Sequence, residues 1–188
     1  MLKTDSDRFI SADPGLVPAL ERAESLITLI PDYPKPGILF RDVAPLLADG
    51  PALRAVTDAL IAPFAGEFDV VAGVEARGFL LAGAVAIAAG VGLVPIRKAG
   101  KLPRPAASAD YTLEYGTATI EMHDDIPVGT RVLLLDDVLA TGGTIAAAKD
   151  LVARVGGIVT GTAVLMELEG LGGREILGDP RLHHIFRG

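Results

Sequence analysis

Arg131 to Thr144, RVLLLDDVLATGGT, sets an apolar run, two adjacent acids and a Thr-Gly-Gly-Thr turn in one line. Val132 to Leu135 shows no polar alternation, so as a strand it is buried on both faces, as in a parallel sheet with helices on each side. Asp136 and Asp137 then stand at its carboxyl end, the edge at which open α/β sheets bind ligands. A Gly-rich turn into a helix adds free backbone N–H groups and the positive end of the helix dipole, which suit a phosphate. Carboxylates so close to a phosphate cradle make chemical sense if they face sugar hydroxyls or a hydrated Mg²⁺. An acid pair by itself is more often an ordinary turn with solvated side chains. The ordered combination of strand, acids and Thr-Gly-Gly-Thr is much rarer.

Other stretches carry chemistry of the same kind. Glu75-Ala76-Arg77-Gly78 follows the apolar strand Asp69 to Val74 and precedes a helix, a turn able to offer N–H groups to an anion or merely to solvate an ion pair. Arg97-Lys98-Ala-Gly-Lys101 and the Pro/Ala/Ser-rich Leu102 to Asp110 suit a lid of about residues 98–116 that closes over an anion, or a plain solvated connection. Phe40-Arg41-Asp42 sits on a Pro-stiffened support, PDYPKPGILFRDVAPLL, which reads as a rigid loop around a short extended piece. Read without context, Phe40 belongs to a core and Arg41 pairs with Asp42. Glu114 is by composition one more ribbon acid, and Leu168 a core leucine.

The elements that must position these residues follow from periodicity. Asp13-Pro14 and the stripe Leu16, Leu20, Ala23, Leu26, Ile27 and Ile30 predict a helix over Pro14 to Leu29. A second helix is expected over Pro51 to Phe64, and a third over Ile145 to Val155, stopped by Gly156-Gly157 before a strand Ile158 to Met166. Gly78 to Ile96 is uncharged for long enough to span a bilayer. Gly90-Val91-Gly92, Pro95 and the weakly apolar Ala/Gly content instead predict a buried crossover helix and a buried strand. Tyr111 to Glu114 and Thr117 to Met122 alternate across Gly116 as an antiparallel ribbon, which His123-Asp124-Asp125 ends.

Bulk properties narrow the class. The 188 residues, half of them hydrophobic, predict one α/β domain: a mainly parallel central sheet flanked by helices, with a small N-terminal hood and the ribbon. A net charge of −7 argues against a nucleic-acid surface. Without cysteine there is no disulfide framework and no thiolate chemistry, and MLKTDSDRF lacks a signal-peptide pattern, so a cytoplasmic protein is expected. His123, His183 and His184 share no metal-ligand spacing and read as non-catalytic. Neither GxxxxGK[ST] nor GxGxxG occurs.

The acid-pair motif resembles that of phosphoribosyltransferases, which bind 5-phosphoribosyl 1-diphosphate (PRPP). That resemblance implies that Asp136 and Asp137 face the ribose hydroxyls and that Ala140, Thr141, Gly142, Gly143 and Thr144 hold the 5′-phosphate. Glu75 to Gly78 resembles the family's pyrophosphate loop, with Arg77 the matching arginine. Pro-Lys-Pro-Gly followed by Phe-Arg-Asp resembles the hood of the adenine branch, spanning about residues 27–45, and Tyr-x-Leu-Glu-Tyr-Gly resembles its lid. The resemblance covers about Ile27 to Gly173. It implies the type I fold, adenine and PRPP as substrates, AMP and pyrophosphate as products in purine salvage, Mg²⁺ held by PRPP and water rather than by a direct protein site, and a homodimer. By the same carry-over, Phe40 stacks on adenine, main-chain groups of Leu39 and Arg41 meet its amino group and ring nitrogen, Leu168 closes the opposite side, Lys98 and Lys101 meet pyrophosphate, and Glu114 is the catalytic acid or base. Two rivals stay open: a transferase for another base such as xanthine, and a non-catalytic regulator that binds PRPP.

Overall fold

The computed structural model describes residues 15–113 and 116–188. These fall into two compact units, one up to Ala59 and one from Leu60 on, with the boundary inside a helix.

The first unit runs through helix α1 (Val17–Ser25), strands β1 (Thr28–Pro31) and β2 (Leu39–Asp42), helix α2 (Ala44–Ala48) and most of helix α3 (Gly50–Ile61). Pro18 stands in the first turn of α1, where a missing N–H is harmless, and Leu20 and Ala23 are fully buried. The helix is shorter than the apolar stripe predicts. Thr28 and Ile30, β-branched residues, pair instead with Asp42 and Phe40 in an antiparallel ribbon, so the stripe's last residue belongs to a strand. The support around Phe40 is also more ordered than a loop. Asp42 accepts the Ala44 backbone N–H at 2.9 Å and Pro45 lies in the first turn, which together start α2.

In the second unit a 3-10 turn (Ala62–Phe64) leads to β3 (Val70–Val74), α4 (Arg77–Ala89), β4 (Gly92–Lys98), β5 (Ala107–Leu113), β6 (Gly116–Met122), β7 (Arg131–Leu139), α5 (Gly143–Arg154), β8 (Ile158–Glu167), α6 (Gly173–Leu177) and β9 (Leu182–Arg187). One seven-stranded sheet has the order β5-β6-β4-β3-β7-β8-β9. From β4 to β9 all neighbours are parallel, and β5 and β6 add the antiparallel ribbon. The expected class, a mainly parallel sheet flanked by helices with an antiparallel ribbon, is what forms, and β1 and β2 add a small antiparallel sheet of their own.

Every residue of β3 is buried, as are Val132 to Leu135 of β7, which explains their unbroken apolar runs. Apolar side chains of β3, β4, β6 and β7 form a core with Ile145, Ala148, Leu151 and Val152 of α5. Each fully buried Leu or Val of this kind contributes roughly 1.5–3 kcal/mol.

Three expectations need correction, and one strand goes unannounced. The segment from Gly78 to Ile96 does form a helix and a strand, but not wholly buried ones: Leu80, Ile87 and Leu93 are 57, 86 and 42 % exposed. The ribbon begins at Ala107 rather than Tyr111, because Ala107 to Leu113 pairs continuously with Gly116 to Met122 and Ala109 enters the core. The acids do not end their strand, since β7 keeps its pairing with β8 as far as Leu139. Finally, His183 and His184 lie inside a strand, β9, where pairing with β8 supplies order that their own sequence does not announce.

Candidate active site

Strand β7 has two different neighbours at the level of the acid pair. Its pairing with β3 stops at Leu135, whereas its pairing with β8 continues through Asp136 opposite Val164. From Asp136 onward one edge of β7 therefore faces the β3–α4 turn instead of a strand. Helix α4 comes in close there because residue 78 is glycine: a Cβ at Gly78 would lie 3.1 Å from Asp136 Oδ1 and from the Leu135 carbonyl oxygen.

Both acids are 8 % exposed. Burial, and then the charge of Asp137, push the Asp136 carboxyl well above the usual carboxylate range, opposed by the Asp137 N–H that Asp136 Oδ1 accepts at 2.8 Å and by Arg77. Arg77 Nη2 lies 2.6 Å from Asp137 Oδ2, an ion contact rather than an aligned hydrogen bond.

Five residues past the acids, Gly142 adopts φ +84°, in the left-handed region, and α5 begins with no side chain capping it. The first-turn N–H groups of α5 thus face outward with the helix dipole behind them, an arrangement suited to an anion. The loop is backed by α6. A Cβ at Gly142 would come 2.9 Å from the Gly173 carbonyl oxygen, and one at Gly173 would come 2.2 Å from that of Ala140. Ala140, Thr141, Gly143 and Thr144 lie in this turn and the first residues of α5, as the sequence places them.

The second junction, β3 to α4, is organised differently. Its Glu75 side chain, 8 % exposed, accepts Arg97 Nε at 3.0 Å, the Lys98 N–H at 2.9 Å and Lys101 Nζ at 2.9 Å. Burial by itself would raise this carboxyl, but Lys101, the Lys98 N–H and Arg97 outweigh it and hold it at about 2. Arg97 also stands over the Phe79 ring at 5.7 Å, within cation–π range. Sequence reading names Glu75 and Arg97 within their motifs but does not pair them with each other. The available signal was the basic run Arg97-Lys98-x-x-Lys101 one strand away from a single acid at the β3 end.

The remaining candidates are placed as follows. Leu39, Phe40 and Arg41 lie together on β2 of the first unit, with the Phe40 ring edge-on to Tyr33 at 5.1 Å. The Leu39 carbonyl accepts Arg41 Nη1 at 3.1 Å, so one of its lone pairs is engaged. Leu168 directly follows β8 in the second unit, half-buried, its N–H donating to Leu139 O at 2.9 Å. Of the lid, residues 99–106 are tied to β6 by Ala99 N–H to Thr119 O at 2.9 Å and Ala106 N–H to Met122 O at 3.0 Å. His123, at the end of that strand, adds a contact of 2.8 Å between Nε2 and the Pro103 carbonyl oxygen. Glu114 lies outside the described residues. Among the described residues no group of three or more His, Asp or Glu could hold a metal ion.

The sheet edge thus combines a buried acid pair, an uncapped helix start and a cation cluster. The family model described as "Phosphoribosyl transferase domain" matches residues 46–175. The similarity narrows further among individual relatives. The adenine phosphoribosyltransferase of Renibacterium salmoninarum is 58 % identical over 168 residues, covering 89 % of this chain and 92 % of that protein. That of Thermobifida fusca is 58 % identical over 158 residues, covering 83 % and 90 %. Among solved structures, the adenine phosphoribosyltransferase of Rhodothermus marinus superposes with a TM-score of 0.84 at 47 % identity, over 91 % of this chain and 99 % of that one. The Saccharomyces cerevisiae enzyme, complexed with adenine and D-2,5-dideoxy-2,5-imino-altritol 1,6-bisphosphate, gives 0.81 at 34 % identity, over 90 % and 98 %. The chain belongs to the adenine phosphoribosyltransferase family.

Proposed function

We propose that this chain transfers the 5-phosphoribosyl group of PRPP to adenine, giving AMP and pyrophosphate, with the two strand-to-helix junctions dividing the substrate between them. The observation that carries the assignment is the buried pair Asp136–Asp137 beside the uncapped α5 start at Gly142. On this reading the acids accept hydrogen bonds from the ribose hydroxyls, and Ala140 to Thr144 wrap the 5′-phosphate with backbone N–H groups. Arg77, Lys98 and Lys101 take the pyrophosphate. Adenine N9 forms its bond to C1′ as the bond from C1′ to the pyrophosphate oxygen breaks, and the leaving group keeps the electron pair. Cations and N–H groups fixed in advance around that oxygen lower the barrier without reorganising. Glu114 is the proposed acceptor of the N9 proton. Mg²⁺ would be held by the PRPP phosphates and water rather than by a direct protein site, and would neutralise pyrophosphate charge there.

In the first unit Phe40 is proposed to stack on adenine, with the Leu39 and Arg41 main chain reading its amino group; in the second unit Leu168 is a proposed adenine contact. Fixed backbone groups would reject a base that lacks that amino group, at a cost of about 3 kcal/mol or more. The exposed Leu80 and Ile87 on α4 and Leu93 on β4 support a homodimer, since large apolar side chains left in water are costly. No helix among the described residues is long and apolar enough to cross a membrane. The cytoplasm is the proposed compartment on the strength of the Cys-free composition. No nucleic-acid partner is proposed for a chain of net charge −7.

The testing experiment is turnover of PRPP and Mg²⁺ with adenine, hypoxanthine, guanine, xanthine and uracil. Adenine is expected to react at least about a hundredfold faster in kcat/KM than any other base. Hypoxanthine or guanine within tenfold of adenine would remove the base assignment and leave the phosphoribosyl one.

A further inference from the structure

Arg174 pairs with Glu167 and donates to the Leu182 carbonyl, yet the mechanism above gives it no task. Its Nε lies 3.0 Å from both oxygens of Glu167 and its Nη2 2.7 Å from Oε2, a forked pair at the end of β8. Nη1 donates to the Leu182 carbonyl at 3.2 Å, and Nη2 approaches His184 Nδ1 at 2.8 Å. Glu167 Oε2 is also 3.2 Å from His184 Nδ1, and Arg187 Nε donates to Nε2 at 3.0 Å. Arginine N–H groups approach both ring nitrogens and a neutral ring has one acceptor: with its proton on Nδ1 the ring faces Glu167 and accepts from Arg187 at Nε2, and the approach of Arg174 Nη2 to Nδ1 is then a close contact rather than a hydrogen bond. Burial first, then the neighbouring arginines, hold His184 down at about 4 against the pull of Glu167, so the ring is neutral at physiological pH.

The cluster therefore joins α6 to the ends of β8 and β9. The wall of the proposed phosphate loop and Leu168, assigned above to adenine, both adjoin that junction. Gly173, adjacent to Arg174, is the residue whose Cα sits against the Ala140 carbonyl, and its own carbonyl sits against Gly142. Leu168, adjacent to Glu167, lines a cleft of about 450 Å³ together with Gly173, Arg174 and Arg187. Interiors are packed to near-crystalline density, so a wall placed this closely fixes the loop it touches. Without the fork, α6 has only five residues and few backbone bonds of its own to hold its place.

We propose that Arg174 is a positioning residue for PRPP: by locking α6 to Glu167 it holds the Ala140–Thr144 loop in its phosphate-binding shape. The proposal rests on the reading of that loop as the 5′-phosphate site. Arg174 touches no substrate in this account, so it acts through Gly173. Its loss should weaken PRPP capture and leave the chemical step nearly intact.

The test compares wild type with Arg174→Gln, Arg174→Lys, Glu167→Gln and Gly142→Ala in the full chain, measuring kcat, KM for PRPP, KM for adenine and Tm. Arg174→Gln is expected to raise KM for PRPP at least about tenfold with kcat within about threefold, and Arg174→Lys to fall between it and wild type. Glu167→Gln removes the same fork from the other side and decides the matter if Arg174→Gln fails to fold. A merely structural role would lower Tm and the active fraction, hence the apparent kcat, with KM for PRPP unchanged. That result in the Arg174 and Glu167 variants, alongside a raised KM in Gly142→Ala, overturns the proposal and spares the loop. An unchanged KM in Gly142→Ala overturns the loop assignment and the proposal with it.

Discussion

The β7–α5 and β3–α4 junctions share one backbone plan and opposite electrostatics. Each is a buried strand that delivers acid to the same sheet edge and then turns into a helix. At β7–α5 the acids crowd one another, Asp136 is pushed up by burial, and the helix start stays uncapped. At β3–α4 the acid is satisfied by three donors, held at about 2, and serves to gather Arg97 and Lys101. One junction keeps its binding capacity unspent, and the other uses its acid to order cations. Arg77, 2.6 Å from Asp137, and the close approach of Gly78 to Asp136 link the two. The difference teaches that an acid at a strand end has no fixed meaning: its meaning depends on whether neighbouring strands bring donors to it.

The largest effect should come from removing the unsatisfied charge. Asp136→Asn with Asp137→Asn keeps shape and hydrogen-bonding reach, and kcat/KM is expected to fall at least about a hundredfold, or roughly 2.7 kcal/mol, in a folded protein. Near wild-type turnover in a folded double variant would erase the distinction between the junctions.

A smaller effect of opposite sign is expected in stability. Because the folded-state carboxyl of Asp136 is raised, its burial is harmless at low pH and becomes unfavourable as pH rises from 3.8 through the folded value. Asp136→Asn, whose amide oxygen can still accept the Asp137 N–H, should therefore raise Tm by about 3 °C at pH 8 and by nothing measurable at pH 4. A variant whose Tm falls equally at both pH values would show that the carboxylate is held by partners after all.

The smallest effect concerns Glu75, whose partners reach solvent and are screened. Its lowered value means that its contribution is present above 4.5 and is lost as pH falls from 4.5 towards 2. Glu75→Gln should lower stability slightly at neutral pH and flatten that part of the acid-unfolding curve, so that the two proteins converge as pH falls. An identical acid limb would mean that the three donors contribute nothing to folding.

The architecture was legible wherever one residue run carried its own signal. Val132 to Leu135 and Asp69 to Val74 read as buried strands because nothing polar interrupts them, and Thr-Gly-Gly-Thr marked the start of α5. What failed depended on partners remote in sequence. β9, with His183 and His184 inside it, exists by pairing with β8, and β5 reaches back to Ala107 because β6 offers the matching edge. Helix α2 hid in a Pro-rich stretch until Asp42 was seen to bond the Ala44 N–H. The same holds for the site. Asp136, Asp137 and Gly142 announce themselves within one stretch, but Glu75 needs Lys101, 26 positions later, before it becomes more than a solvated acid. The exposed face of α4 was missed because hydropathy reports how apolar a segment is and not what covers it.

The division of the substrate between the two junctions can be tested by titrating ribose 5-phosphate and magnesium pyrophosphate separately into wild type, Gly142→Ala and Lys101→Met by calorimetry. Gly142→Ala, which forces a Cβ against the Gly173 carbonyl, should weaken ribose 5-phosphate at least about tenfold and leave pyrophosphate within about threefold. Lys101→Met should do the reverse. If either variant weakens both ligands alike, or if Gly142→Ala affects pyrophosphate alone, the β7–α5 junction is not the ribose-phosphate half of the site.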